Sequence, residues 1–341
     1  MYSFFNILFS ALFLGPSMDF TKMDLSSLLP ANSLVHNKTA AKGMLGFSQK
    51  GRMIDAWYFP GTSNRNAIVI GGMHGSELSS IEVANTLIKQ LQEQPPGYYN
   101  VIVIPCLFPD NAASASADPA TVGSISNIGR YSHSNAADPN RQMPTPGKAF
   151  RPDQPLDHLG RTIEQENQLL LDLIAWFKPE RIANIHAIRD EAHAGIYADP
   201  RTTHKGIALG FYEDSLLAVS MASRIAAAGG WVPGNKLNDR PSALYYKDPI
   251  PARAGQVQKR NTCGSKLPGN RGQGISLGTW AATAVNDPSF PAGDRAAIQL
   301  ITIEFPGYKA PAHYAPAQQS IRNKQVEAYA SGVKEIFLGA Q

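Results

Sequence analysis

An imidazole and a carboxylate three residues apart, His74 and Glu77 in Ala67-Ile-Val-Ile-Gly-Gly-Met-His-Gly-Ser-Glu77, are two good ligands for a zinc ion. Alone the pair is a weak signal, because a turn histidine followed by a solvated glutamate is common. It gains weight from two further residues. His186 directly follows Arg181-Ile-Ala-Asn-Ile185, and Glu304 directly follows Gln299-Leu-Ile-Thr-Ile303. Two histidines and one glutamate leave a fourth position for water, a common catalytic arrangement of zinc. A carboxylate such as Glu304 is costly to bury unless it has a partner or a task; the plain alternative is a salt-bridged glutamate at a strand end. His36, His158, His204 and His313 sit in polar loops where a solvated imidazole is the default, and His133 and His193 have no strand to aim them.

Periodicity supplies the elements that must hold these groups. Ala67 to Ile70 is a short apolar run of the kind that fills a central strand, and Ser79 to Leu91 has helical apolar spacing, so His74 and Glu77 fall in a strand-to-helix turn. Val101–Ile104, 181–185 and 299–303 read as further strands, and 161–176, 214–228 and 317–337 as helices. Residues 46–58 read as a hairpin turning at Lys50-Gly51, while 107–150 and 231–280, rich in Pro, Gly, Asn and Ser, read as long loops. Alternating strands and helices predict a single α/β domain: a twisted, mixed, mostly parallel sheet flanked by helices. In such sheets ligands gather at the carboxyl ends of the strands, where all four residues lie.

Composition bounds the reading. The chain has 341 residues with 43% hydrophobic and 17% charged content, enough for a sizeable core. A net charge of +4 without a dense basic cluster argues against a nucleic-acid partner. Cys106 and Cys263 are the only cysteines, too few for a disulfide framework, and stand either as two thiols or one bridge. Residues 1–17 have the apolarity and length of a signal-peptide core and are too short for a comfortable membrane span, which predicts a periplasmic or secreted protein, with a cytoplasmic one as the alternative. Residues 18–45 read as an irregular segment and 46–341 as the catalytic domain.

These residues, in this order, resemble the zinc carboxypeptidases related to carboxypeptidase A, and more closely their bacterial branch of murein peptide amidases and γ-D-glutamyl-diaminopimelate peptidases. The resemblance spans roughly residues 46 to 310. His74-Gly-Ser-Glu77 is similar to the family's His-x-x-Glu, Asp138-Pro-Asn-Arg141 to its Asp-x-Asn-Arg, His186 to its third ligand and Glu304 to its general base. The resemblance implies one Zn²⁺ per chain on His74, Glu77 and His186, with Asp138 orienting His74. It implies further that Arg130 stabilises the oxyanion and that Asn140 and Arg141 bind a free carboxylate of a peptide or murein-peptide substrate. Without the resemblance, Asp138 to Arg141 would be read as an Asx turn with a surface arginine.

The chain departs from the pattern in two places. Where many relatives carry a tyrosine, about nine residues before a tryptophan like Trp280, it has Arg271, which is expected to meet a second substrate carboxylate; Tyr245 and Tyr246 are nearby but nothing aims them. Gln142-Met143-Pro144 replaces the usual Asn-aromatic pair. Three functions fit: a zinc exopeptidase or amidase acting near a free carboxylate, a zinc deacylase similar to succinylglutamate desuccinylase or aspartoacylase, and a carboxypeptidase-like binding module. A binding module has no need of Glu304.

Overall fold

The computed structural model describes residues 39–127, 137–235, 251–259 and 272–340. Their framework is a seven-stranded sheet. In chain order the strands are β1 (Ala41–Phe47), β2 (Met53–Phe59), β3 (Asn66–Ile70), β4 (Asn100–Ile104), β5 (Arg181–Ile188), β6 (Gly195–Ala198) and β7 (Gln299–Pro306), and across the sheet they run β1-β2-β4-β3-β5-β7-β6. The four central strands, β4-β3-β5-β7, are parallel; β1, β2 and β6 add antiparallel edges. Parallel central strands are buried on both faces. That is why Ala67–Ile70 and Val101–Ile104 are apolar throughout and show no accessible surface.

Helices cover both faces. On one, α1 (Leu78–Glu93) packs Val83, Leu87 and Leu91 with α4 (Tyr212–Ala227) and α6 (Pro316–Gly332) over Ala183, Ile185, Ile301 and Ile303. On the other, α3 (Gln165–Phe177) and the short α5 (Leu277–Ala281) lie over Ile68, Ile70, Ile182 and Leu300. Successive strand residues face opposite ways, so His186 shares a face with Ile182, the α3/α5 side.

Several expectations need correction. The hairpin begins at Ala41, inside the segment expected to be irregular, because Ala41–Phe47 pairs along Met53–Tyr58. Within the expected 107–150 loop, α2 (Pro109–Ala117) forms; its Ser, Asn and Asp content hides a helix that starts with proline in its first turn. The expected 231–280 loop contains most of α5, and β6 was not foreseen. The helix expected from Arg161 starts at Gln165, so Arg161 stands in the turn before it. The final helix ends in a π-helical turn, Val333–Phe337. No helix among the described residues is long and apolar enough to cross a membrane. Residues 1–17, His36, Arg130, His133, Tyr245, Tyr246, Cys263 and Arg271 lie outside the described residues.

Candidate metal centre

The turn after β3 carries His74 and ends at Glu77, the residue that caps the start of α1. The turn lies tight against the chain after β4: a Cβ on Gly75 would stand 2.0 Å from the Phe108 carbonyl oxygen, so the His-Gly-Ser-Glu stretch needs glycine there. His186 arrives from the next strand, β5, near its carboxyl end. The ligand atoms of His74, Glu77 and His186 all fall within 4.8 Å of one another.

Glu77 sits between the two imidazoles. One oxygen is 2.9 Å from His74 Nδ1, and the other is 3.3 Å from His186 Nδ1 and also accepts the Ala187 amide N–H at 2.9 Å. The two rings meet edge to face with centroids 4.8 Å apart. Ligands at tetrahedral zinc distances of about 2.0–2.1 Å lie roughly 3.3 Å from each other; the Glu77 contacts at 2.9 and 3.3 Å are near this separation, and the whole set stays within 4.8 Å. Two imidazole nitrogens and one carboxylate are also the donor chemistry zinc takes in a catalytic site. The residues fit the ion.

Outer contacts fix the ligands. His74 Nε2 is 2.8 Å from Asp138 Oδ1, and the same oxygen accepts the Asn140 amide N–H at 2.7 Å. The Asn140 side-chain nitrogen is 3.3 Å from His186 Nε2, while its oxygen accepts the Leu277 amide N–H at 3.0 Å. Asn140 therefore joins the metal ligands to the start of α5. Gln142 and Glu164 bond to each other twice, and Asn167 donates to the Pro139 carbonyl, pinning the 138–142 turn to α3. Arg141 is half-buried and donates from Nη1 to the Asn140 carbonyl at 2.6 Å.

Burial and charge set the protonation of this cluster. Burial alone would lower the His74 pKa, but the Asp138 and Glu77 carboxylates outweigh it and hold the imidazole well above its ordinary value. Burial would raise Glu77, yet the His74 charge and bonds from both imidazoles bring it down to about 2. Asp138 is likewise held below the carboxylate range despite its burial, by His74 and then Arg141. His186, deeper and farther from Asp138, is lowered by burial.

Glu304 stands beside this cluster. It pairs in register with His186 across β5 and β7, so the two side chains leave the same face of the sheet side by side. On its other side Glu304 pairs with Gly195 of β6, which brings no side chain. Tyr308, four residues on, is pushed up to about 12 by burial and by the Glu77 and Glu304 carboxylates, against the opposing charge of Arg189, whose guanidinium lies over its ring. Sequence reading missed Tyr308, although its nearness to Glu304 in Glu304-Phe-Pro-Gly-Tyr308 was a signal. It also missed Arg161, which joins the turns on either side of the site, and no local pattern marked it.

No protein-family model and no curated protein sequence matches the chain. Among solved structures it is similar to carboxypeptidase A-like metallopeptidases. One is carboxypeptidase A from Helicoverpa armigera, at 14% identity and TM-score 0.49, covering 87% of this chain and 70% of that one. Another is bovine thrombin-activatable fibrinolysis inhibitor, at 13% identity and TM-score 0.49, covering 87% and 90%. A third is murein-tripeptide amidase from Escherichia coli O157, at 16% identity and TM-score 0.44, covering 91% and 98%.

Proposed function

We propose that the chain is a zinc-dependent hydrolase of peptide or amide bonds next to a free carboxylate, with cell-wall peptides as its substrates. The observation that carries this reading is the in-register pairing of Glu304 with His186, one of three side chains converging with zinc-ligand chemistry. A binding protein would need no carboxylate aligned beside a metal ligand.

His74, Glu77 and His186 would hold the ion, one per chain. Bound there, zinc would lower the pKa of a water towards about 7 and polarise the scissile carbonyl. Glu304 would take that water's proton and return it to the leaving amine. Asp138 holds the His74 ring by its far nitrogen, which keeps Nδ1 aimed at Glu77. Asn140, beside His186, and its neighbour Arg141 would hold the substrate carboxylate, Arg141 with its planar fork. Arg130 would stabilise the developing oxyanion and Arg271 would meet a second carboxylate. The apolar residues 1–17 support export, and the periplasm is where murein peptides would be met.

The test is metal content with amine release from murein tri- and tetrapeptides, ordinary peptides and N-acyl amino acids. About one zinc per chain with chelator-sensitive cleavage of a peptide bearing a free carboxylate is expected. Cleavage of acyl amino acids alone would move the assignment to a deacylase; zinc without turnover of any member would overturn the hydrolase reading.

A further inference from the structure

Outside the metal centre the described residues form a polar cleft of about 210 Å³, walled in part by Lys148, Arg151, Leu156, Asp157 and Asp287. None of the residues lining it bonds to His74, Glu77 or His186. Asp287 is only 3% exposed. Lys148 Nζ at 3.1 Å, the Ser289 amide N–H at 3.1 Å and the Ser289 hydroxyl at 2.7 Å all donate to its Oδ1. Its Oδ2 receives no donor among the described residues and keeps access to the cleft. A buried carboxylate with one oxygen unused calls for a donor. Asp157 makes no such demand, because its oxygens are taken by Arg161 Nε and by the Leu159 and Arg161 amides. Two cations have donors to spare. Lys148, with its side chain 54% exposed, gives one of three ammonium hydrogens to Asp287, and Arg151 gives Nε and Nη2 to Asp153 while Nη1 is left over.

This pattern of charge selects a ligand. A metal cation on Asp287 would face the Lys148 ammonium, and a simple anion on Lys148 and Arg151 would face the Asp287 carboxylate. A molecule that carries an ammonium and a carboxylate satisfies both ends. Because Lys148 Nζ and Asp287 Oδ1 are already in contact, the two charges of the ligand must also be neighbours, as they are on a single carbon. The cleft is smaller than the roughly 300–1,000 Å³ of sites for drug-sized ligands, so its occupant is small. We propose that this cleft is a binding site, separate from the metal centre, for a free α-amino acid. The ligand ammonium donates to Asp287 Oδ2, its carboxylate accepts from Lys148 Nζ and Arg151 Nη1, and Pro144, Ala149 and Leu156 offer its side chain an apolar wall. The hydrolase proposed above would release this class of molecule, but the site stands on the cleft alone. Occupancy has a built-in reporter, since the Lys148 carbonyl accepts the Trp280 indole N–H at 2.9 Å.

The experiment is an NMR titration of the full chain with alanine, N-acetylalanine and alaninamide, read at the Trp280 indole N–H and the Ser289 amide. Alanine is expected to shift both resonances saturably, and loss of either ligand charge to weaken binding about tenfold or more, the usual worth of a hydrogen bond to a charged group. Asp287→Asn keeps Oδ1 as an acceptor for Ser289 but removes the charge, and should weaken alanine by a similar factor. Lys148→Met, at a half-exposed position, tests the carboxylate end in the same way and decides the matter if Asp287→Asn does not fold. Absence of a saturable shift with alanine overturns the proposal. So does N-acetylalanine binding as well as alanine, which would leave a plain anion site, or alanine binding unchanged in either folded variant. Because the readout is binding at the cleft, a chain that hydrolyses no peptide could still bind alanine there, and one that hydrolyses peptides could fail to, so the two proposals fall separately.

Discussion

Asp138 joins His74 to the Asp138–Arg141 turn through a single oxygen: Oδ1 lies 2.8 Å from His74 Nε2 and accepts the Asn140 amide N–H at 2.7 Å. The ligand's orientation and the conformation of residues 138–141 are therefore set by one group. Asp138→Asn keeps the shape but loses the charge that favours Nε2–H, and removal of such a partner typically weakens metal binding by about 10–100-fold. Competition against a chelator of known affinity measures this directly. Unchanged zinc affinity in Asp138→Asn would show that His74 is held by its packing instead.

Glu304 lies on β7, apart from the candidate metal ligands on β5 and in the turn after β3, and is proposed as the base. Glu304→Gln should keep zinc at the wild-type stoichiometry and lower turnover by roughly 10²–10⁴-fold, the usual contribution of a positioned general base. Metal analysis alongside steady-state kinetics checks both halves. Loss of zinc in this variant would place Glu304 among the ligands.

Metal binding should carry protons. In the metal-free protein the His74 pKa is raised above its ordinary value, chiefly by Asp138 and Glu77 acting against burial, while Glu77 at about 2 is ionised throughout the working range. Zinc can take His74 only as the neutral ring, so binding near neutral pH releases a proton and the apparent affinity falls as pH falls. Calorimetry in buffers of different ionisation heat reads the released proton. The signs for folding differ between the two partners. The raised His74 contribution is present at low pH and lost as pH rises through its folded value; the depressed Glu77 contribution is present above about 4.3 and lost as pH falls towards 2.

What the sequence disclosed follows from burial. Ala67–Ile70 and Val101–Ile104 are legible because strands covered on both faces must be apolar throughout, and His186 and Glu304 are legible because they break such runs at the site. Gly195–Ala198 was missed: four residues at an edge are too few to show a period. Pro109–Ala117 was missed because small polar residues mark loops as readily as exposed helices. Arg161 was read as the first residue of a helix, since nothing local distinguishes that from a long-range clamp.

That clamp makes its own prediction. Arg161 Nε donates to Asp157 at 2.6 Å, with both side chains nearly inaccessible, and Nη2 donates to the Arg141 and Gln273 carbonyls at 2.9 Å each. The two turns come so close that a Cβ on Gly274, at φ +127°, would lie 2.1 Å from the Arg141 oxygen. Arg161→Met leaves Asp157 buried without its ion partner, which should destabilise the fold by about 3–5 kcal/mol. It should also raise KM for carboxylate-bearing substrates more than it lowers kcat. Urea unfolding gives the first quantity and kinetics the second; a kcat loss with KM unmoved would mean that the clamp does not act through Arg141.

Away from the metal centre, Glu166 at the start of α3 supplies a pH dependence of opposite sign to that of Glu77. It is fully buried; one oxygen accepts the Gln49 amide N–H at 3.1 Å and the other has no partner. Burial dominates and pushes its pKa up to about 7, above the ordinary value of about 4.3. The neutral acid is thus the form the fold prefers: its contribution is fully present below about pH 4.3 and is lost as pH rises through about 7. Glu166→Gln preserves the acceptor for Gln49 and cannot ionise. Its stability relative to the wild type should therefore rise between pH 5 and pH 8, by a difference on the order of 1–3 kcal/mol. Denaturant unfolding of both proteins at the two pH values decides it, and parallel behaviour would mean that water reaches Glu166 and keeps its pKa ordinary.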